Sequence, residues 1–71
     1  MNTETIGYNA GTVWVALNEA EALGVKQLKK ITKLKDKDLF AALGWLAREG
    51  KVNIVVDPED EKDYLVSLVQ A

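Results

Sequence analysis

Two clusters of charge carry the chemistry this chain can offer. Residues 26–37 hold six lysines (Lys26, Lys29, Lys30, Lys33, Lys35 and Lys37) against Asp36, a net of +5. Cations at that density suit a phosphate backbone. Residues 57–63 (Asp57-Pro58-Glu59-Asp60-Glu61-Lys62-Asp63) hold five acids against one lysine, a net of −4. Clustered acids on a loop suggest either a calcium site or a pair of acid–base carboxylates. An EF-hand loop needs Gly at its sixth position and Glu at its twelfth; Lys62 and Leu68 stand there instead. A carboxylate pair on an exposed tip, without a pocket or a nucleophile beside it, does not support catalysis. The chain has no His and no Cys, which removes imidazole acid–base chemistry, Cys/His zinc sites and disulfides. No Gly-rich phosphate loop follows a strand. The expectation is a protein that is not an enzyme, with no cofactor and no metal. Its acidic stretch reads as a solvated hairpin tip that discourages aggregation.

The lysines fall on a recognisable arrangement of elements. Val25, Leu28 and Ile31 recur at helical spacing, so a short helix from Val25 to about Thr32 buries these three and turns Lys26, Lys29, Lys30 and Lys33 outward. Thr32-Lys33-Leu34-Lys35 is a connector. A longer helix runs from about Asp36 to Glu49, with Leu39, Phe40, Leu43, Leu46 and Ala47 on its core arc. Lys35 occupies its N-cap, where Ser, Thr, Asp or Asn is preferred, and Asp38 is placed to compensate in part. Leu34 and Leu39 have the spacing of a hydrophobic staple. Gly50 stands where a left-handed residue ends a helix. Opposite the core arc, Lys37, Ala41, Gly44 and Arg48 form a line of two small residues between two cations. Such a face suits the DNA major groove and suits a packed helix equally well. Trp45, off the core arc, is expected to cover the following hairpin or, as the second choice, a partner.

The flanks complete the outline. Met1 to Glu4 is polar and reads as a loose N-terminus. A first helix begins between Thr5 and Asn9, with Ile6, Ala10, Val13, Trp14 and Leu17 facing the core. Gly7 and Gly11 beside that stripe suggest a late start or a close backbone approach. Leu23-Gly24 is expected to add one or two residues of strand. After Gly50 the period drops to 2: Val52, Ile54 and Val56, then Tyr64, Val66 and Leu68, make one face of a hairpin whose loop is 57–63. Tyr8, Val15, Val55, Leu65 and Val69 remain outside every core arc and are the candidate contacts of a homodimer. Residues 1–71 therefore read as a single domain, with three helices over 5–50 and a hairpin over 51–69. The class is α+β, mainly α: a winged helix-turn-helix. With 48% apolar residues, no apolar run of transmembrane length and no signal peptide, the chain reads as soluble and cytoplasmic, with no membrane partner.

Two stretches, Ile6-Gly7-Tyr8-Asn9-Ala10-Gly11-Thr12-Val13-Trp14 and Ala41-Ala42-Leu43-Gly44-Trp45-Leu46-Ala47-Arg48-Glu49-Gly50-Lys51, resemble a family of small, stand-alone bacterial winged helix-turn-helix domains of unknown function. The resemblance covers roughly residues 5–56. Lys35 departs from it, standing where a Ser-type cap is usual. The resemblance implies the winged-helix fold and, by analogy with winged-helix regulators, binding of double-stranded DNA in a transcription-related role. In that reading Lys35, Lys37 and Ala41 lie nearest base edges. Lys29, Lys30, Lys33 and Arg48 neutralise phosphates, and Lys26 is a weaker candidate. The acidic wing would be repelled by phosphate. Its sign favours the alternative, an interaction or dimerisation domain that binds no DNA.

Overall fold

The computed structural model describes residues 1–69. Helix α1 (Thr3–Asn18) leads through a two-residue strand β1 (Leu23–Gly24) to α2 (Val25–Thr32) and α3 (Asp36–Arg48). A hairpin of β2 (Val52–Asp57) and β3 (Asp60–Leu68) follows. The three strands form one antiparallel sheet in the order β1-β3-β2. The core lies between the helices and one sheet face, and is built from Ala10, Val13, Leu17, Leu28, Leu39, Ala42, Leu43, Leu46, Val52 and Val66. Three helices closed by such a sheet make a winged helix.

Helix α1 starts earlier than the expected Thr5–Asn9 window. Asn2 caps it: its side chain accepts from the Thr5 N–H at 2.9 Å, and the Thr5 hydroxyl oxygen accepts from the Asn2 N–H at 2.9 Å. This reciprocal pair satisfies two end groups of the helix and places Thr3 and Glu4 inside it. Gly7 and Gly11 lie in the helix interior, yet a Cβ built on either meets nothing within 4 Å. No close backbone approach requires them.

Tertiary packing rotates two of the expected stripes. On α2, Leu28 is fully buried, with Val25 and Thr32 partly so, while Ile31 is 56% exposed. Residues 25, 28 and 32 fall on a narrow arc, and residue 31 lies about 90° from its centre. On α3 the buried set is Leu39, Ala42, Leu43 and Leu46, a complete i, i+3, i+4, i+7 stripe. Phe40, 54% exposed, and Ala47 fall outside it. Gly50 takes φ 70° as expected. The Lys51 N–H reaches the Leu46 carbonyl and the Gly50 N–H reaches that of Ala47, at 2.9 and 3.0 Å, so a Schellman motif ends α3.

The hairpin is tighter than its acidic composition suggests. Strand β3 begins at Asp60, leaving Pro58 and Glu59 as the turn where a seven-residue loop was expected. Asp57 and Asp60 make this possible, since their carboxylates accept from the backbone N–H groups of Glu59 and Lys62. The pairs Val52–Leu68, Ile54–Val66 and Val56–Tyr64 confirm the expected inner face. Only its end near the helices is covered: Val52 and Val66 are buried, whereas Ile54, Val56 and Tyr64 are exposed.

Candidate nucleic-acid interface

The turn between α2 and α3 is built to hold lysines outward. Thr32 ends α2 facing inward, its hydroxyl donating to the Leu28 carbonyl at 2.7 Å and accepting from the Leu34 N–H at 3.3 Å. Leu34 packs on the core and Leu39 is fully buried, as a staple requires. Between them Lys33 adopts φ 60°, ψ 20°. This is the left-handed region, where a non-glycine residue costs about 1 kcal/mol or more. Lys35 is the N-cap of α3 and makes no side-chain cap bond. No hydrogen bond from Asp38 compensates for it among the described residues.

Two of the candidate cations are engaged within the chain. Lys29 pairs with Asp36 at 2.7 Å and Lys26 with Asp60 at 2.9 Å. Among the described residues no ion pair holds Lys30, Lys33, Lys35, Lys37 or Arg48, all of them exposed. Lys33, Lys35 and Lys37 come together at the turn and the first turn of α3. Arg48 lies at the other end of that helix, about 20 Å along the axis from Lys35. Ala41 is half-buried and Gly44 open between them. Phe40, assigned to the core by sequence reasoning, joins this outer face beside Gly44. A single-residue rotation of the apolar stripe would have revealed it.

The acidic wing is largely spent on structure. Asp63 is 7% exposed, and its Oδ1 accepts from the Val25 N–H at 3.1 Å and the Tyr64 N–H at 2.8 Å. It thereby serves as the N-cap side chain of α2, whose own cap residue, Gly24, has none. Gln27 completes the cap by accepting from the Gly24 N–H at 2.9 Å. A Cβ on Gly24 would lie 2.7 Å from Asp63 Oδ2. Asp60 is held by Lys26, so its carboxyl sits below the usual range, chiefly through that hydrogen bond and then through the Lys62 N–H. The Lys26 ammonium is correspondingly raised by the same bond and by the charge of Asp60. Sequence reasoning missed Asp63; a helix opening on Gly with no local cap was the available signal.

The candidate dimer residues fall on two surfaces. Val55 and Leu65 are cross-strand partners on the sheet face turned from the helices, with Val69 at its end. Tyr8 and Val15 lie on the exposed side of α1. Trp45 does not cover the hairpin. It faces α1, lining with Gly7, Gly11, Trp14 and Lys51 an open cleft of about 360 Å³. Gly7 and Gly11 border the cleft without touching that ring, since a Cβ on either would meet nothing within 4 Å. Among the described residues no helix is long and apolar enough to cross a membrane, and no cluster of three metal-ligating side chains occurs.

Similarity to known proteins agrees with this architecture. The solution structure of protein BT2368 from Bacteroides thetaiotaomicron superposes with a TM-score of 0.79 at 35% identity, over 96% of this chain and 79% of that one. A mutant MarR from E. coli complexed with operator DNA gives 0.78 at 21% identity, and the PcaV transcriptional regulator from Streptomyces coelicolor 0.77 at 20%. These two are likenesses of fold, covering 99% and 96% of this chain, which spans only 46% of each of theirs. No curated protein matches in sequence. A family model described as "Winged helix-turn-helix domain (DUF2582)" matches residues 1–68, and with nearly its whole length so matched the chain belongs to that family.

Proposed function

We propose that the chain is a DNA-binding module of transcription regulation that lays α3 in the major groove. Lys35, Lys37 and Ala41 face base edges, while Lys30, Lys33 and Arg48 contact phosphate. Lys29 joins them by exchanging Asp36 for a phosphate. The observation that carries the reading is Lys33, a lysine held in a left-handed conformation that glycine adopts without strain. It stands among lysines with no acidic partner within the described residues. Strain kept at one position argues that the side chain there is used. The wing objection weakens by one charge, because Lys26 pairs with Asp60, and the Asp63 carboxylate is buried against α2 rather than displayed at the tip. The fold shared with MarR, which has been crystallised with operator DNA, supports DNA as the partner. The second reading, an interaction module without DNA, draws on the exposed Glu59 and Glu61 and on the uncovered apolar residues.

Fluorescence anisotropy with duplex DNA across a range of salt tests the proposal. Binding is expected to weaken with salt, the slope falling by about 1 for each phosphate contact removed. Lys33→Gly should lose affinity while stability holds or rises, since the strain leaves with the charge. Absence of binding at low salt, or a slope unchanged by Lys33→Glu and Lys37→Glu together, would eliminate it.

A further inference from the structure

Strand β2 is a sheet edge. In the order β1-β3-β2 it has β3 on one side and, among the described residues, no strand on the other. The Val69 N–H donates to the Lys51 carbonyl at 2.9 Å, in the register that sets Val52 against Leu68. Hydrogen-bonded pairs alternate along an antiparallel ladder. Lys51, Asn53 and Val55 therefore turn their backbone groups toward β3, and Val52, Ile54 and Val56 turn theirs outward. Such a row is a template for another strand unless charge, proline or a cover blunts it. Here Asn53, Ile54, Val55 and Val56 are all exposed and uncharged. Charge stands only at the two ends, as Lys51 and Asp57.

We infer that β2 pairs antiparallel with β2 of a second copy of this chain, across a two-fold axis at Ile54. Ile54 then faces its own copy and Val52 faces Val56, so the outward backbone groups meet in matched pairs. The same register sets Lys51 of each copy opposite Asp57 of the other. A register centred on Asn53 would set Lys51 against Val55, and one centred on Val55 would carry Lys51 past the strand into the turn. Charge complementarity thus selects one register of those the backbone allows. Asp57 uses Oδ1 to accept from Glu59, which leaves Oδ2 for the lysine. The irregularity between Val56 and Asp57 touches only the strand's last residue, and a lysine's flexible stem follows it. Ile54 also lines an apolar groove of about 230 Å³ with Val25, Phe40, Leu43, Gly44 and Tyr64. Pairing sets a second Ile54 beside that groove.

The inference involves no DNA and is tested without it. One strand pair is a small interface, so a weak dimer is expected, visible by sedimentation between about 10 μM and 1 mM chain. In a mixed isotope-labelled sample of the unmodified chain, filtered NMR spectra should show contacts between Val52 of one copy and Val56 of the other. Lys51→Asp sets like charges opposite each other twice and should weaken association about tenfold at low salt. Adding Asp57→Lys should restore it, with circular dichroism confirming the fold of each variant. A monomer up to about 1 mM, or a dimer lacking the Val52–Val56 contacts, overturns the inference. So does a folded Lys51→Asp that associates as before. If that variant does not fold, the contacts in the unmodified chain decide alone.

Discussion

Asp63 and Gly24 meet in a contact that tolerates little change. The carboxylate reaches α2 from β3 and replaces a cap that glycine cannot supply, and the absence of a Cβ on Gly24 leaves space for Oδ2. Asp63→Ala should cost about 1–3 kcal/mol, because it leaves two N–H groups without their acceptor in a partly buried site. Gly24→Ala should cost a comparable amount by driving Oδ2 away, since Oδ1 is pinned by Val25 and Tyr64. The two losses should not add: with Asp63 already replaced, the alanine at position 24 has nothing to strike. Urea unfolding of the single and double variants checks this. Additive losses would show that the contact between them is unimportant.

The start of α1 and the end of α3 come from local signals, whereas the cap of α2 and the buried faces of the helices come from distant neighbours. The Asn2–Thr5 box and the Gly50 stop lie within a few residues of the boundaries they set. Gly11 shows the other side of the rule. It sits mid-helix with open space where a Cβ would go, so Gly11→Ala should raise stability by about 0.5–1 kcal/mol through the unfolded chain's lost freedom. A higher urea midpoint at unchanged slope is the expected result. The cleft between Trp14 and Trp45 would narrow by one methyl. A loss of stability would show that α1 does not accept a side chain at this position. On α3, packing against α1 decided that Ala42 turns inward and Phe40 outward, giving the line of Lys37, Ala41, Gly44 and Arg48 an aromatic neighbour.

At the scale of the whole molecule, the positive helix pair and the negative wing are joined by Lys26 and Asp60, which are 34 residues apart. Asp60's carboxyl is depressed in the folded state, so its contribution is present above the ordinary Asp range, about 4, and is lost as pH falls through the folded value. Lys26 is raised, so its share is present below about 10 and is lost as pH rises through its folded value. Thermal midpoints of the unmodified chain and of Asp60→Asn should therefore differ between these limits and converge in acid. The gap should also shrink with salt, because both groups are exposed. A gap that persists below pH 2 would assign the effect to the Asp60–Lys62 turn instead.

The sequence by itself determined most of what is encoded within a turn or two of chain, the Asn2 cap and the tight turn at Pro58-Glu59 being the local features it left unread. Helix and strand periods, the two-residue strand at Leu23, the Gly50 stop, the inner face of the hairpin and the separation of charge were all legible. Each depends on backbone dihedrals or on spacing between near neighbours. The lysines around Lys33 were legible as a cluster for the same reason, but the left-handed conformation that makes Lys33 informative was not. Tertiary structure alone decided which part of each apolar stripe found a partner. It exposed Ile31, Phe40 and the outer half of the wing, and it turned Trp45 onto α1. It also converted an acid read as a solvated tip into the cap of a helix 38 residues away. An unpaired sheet edge belongs to the same class, since no residue type reveals which strand lies outermost. These outcomes follow from competition among distant surfaces for one small core, and local pattern holds no record of that competition.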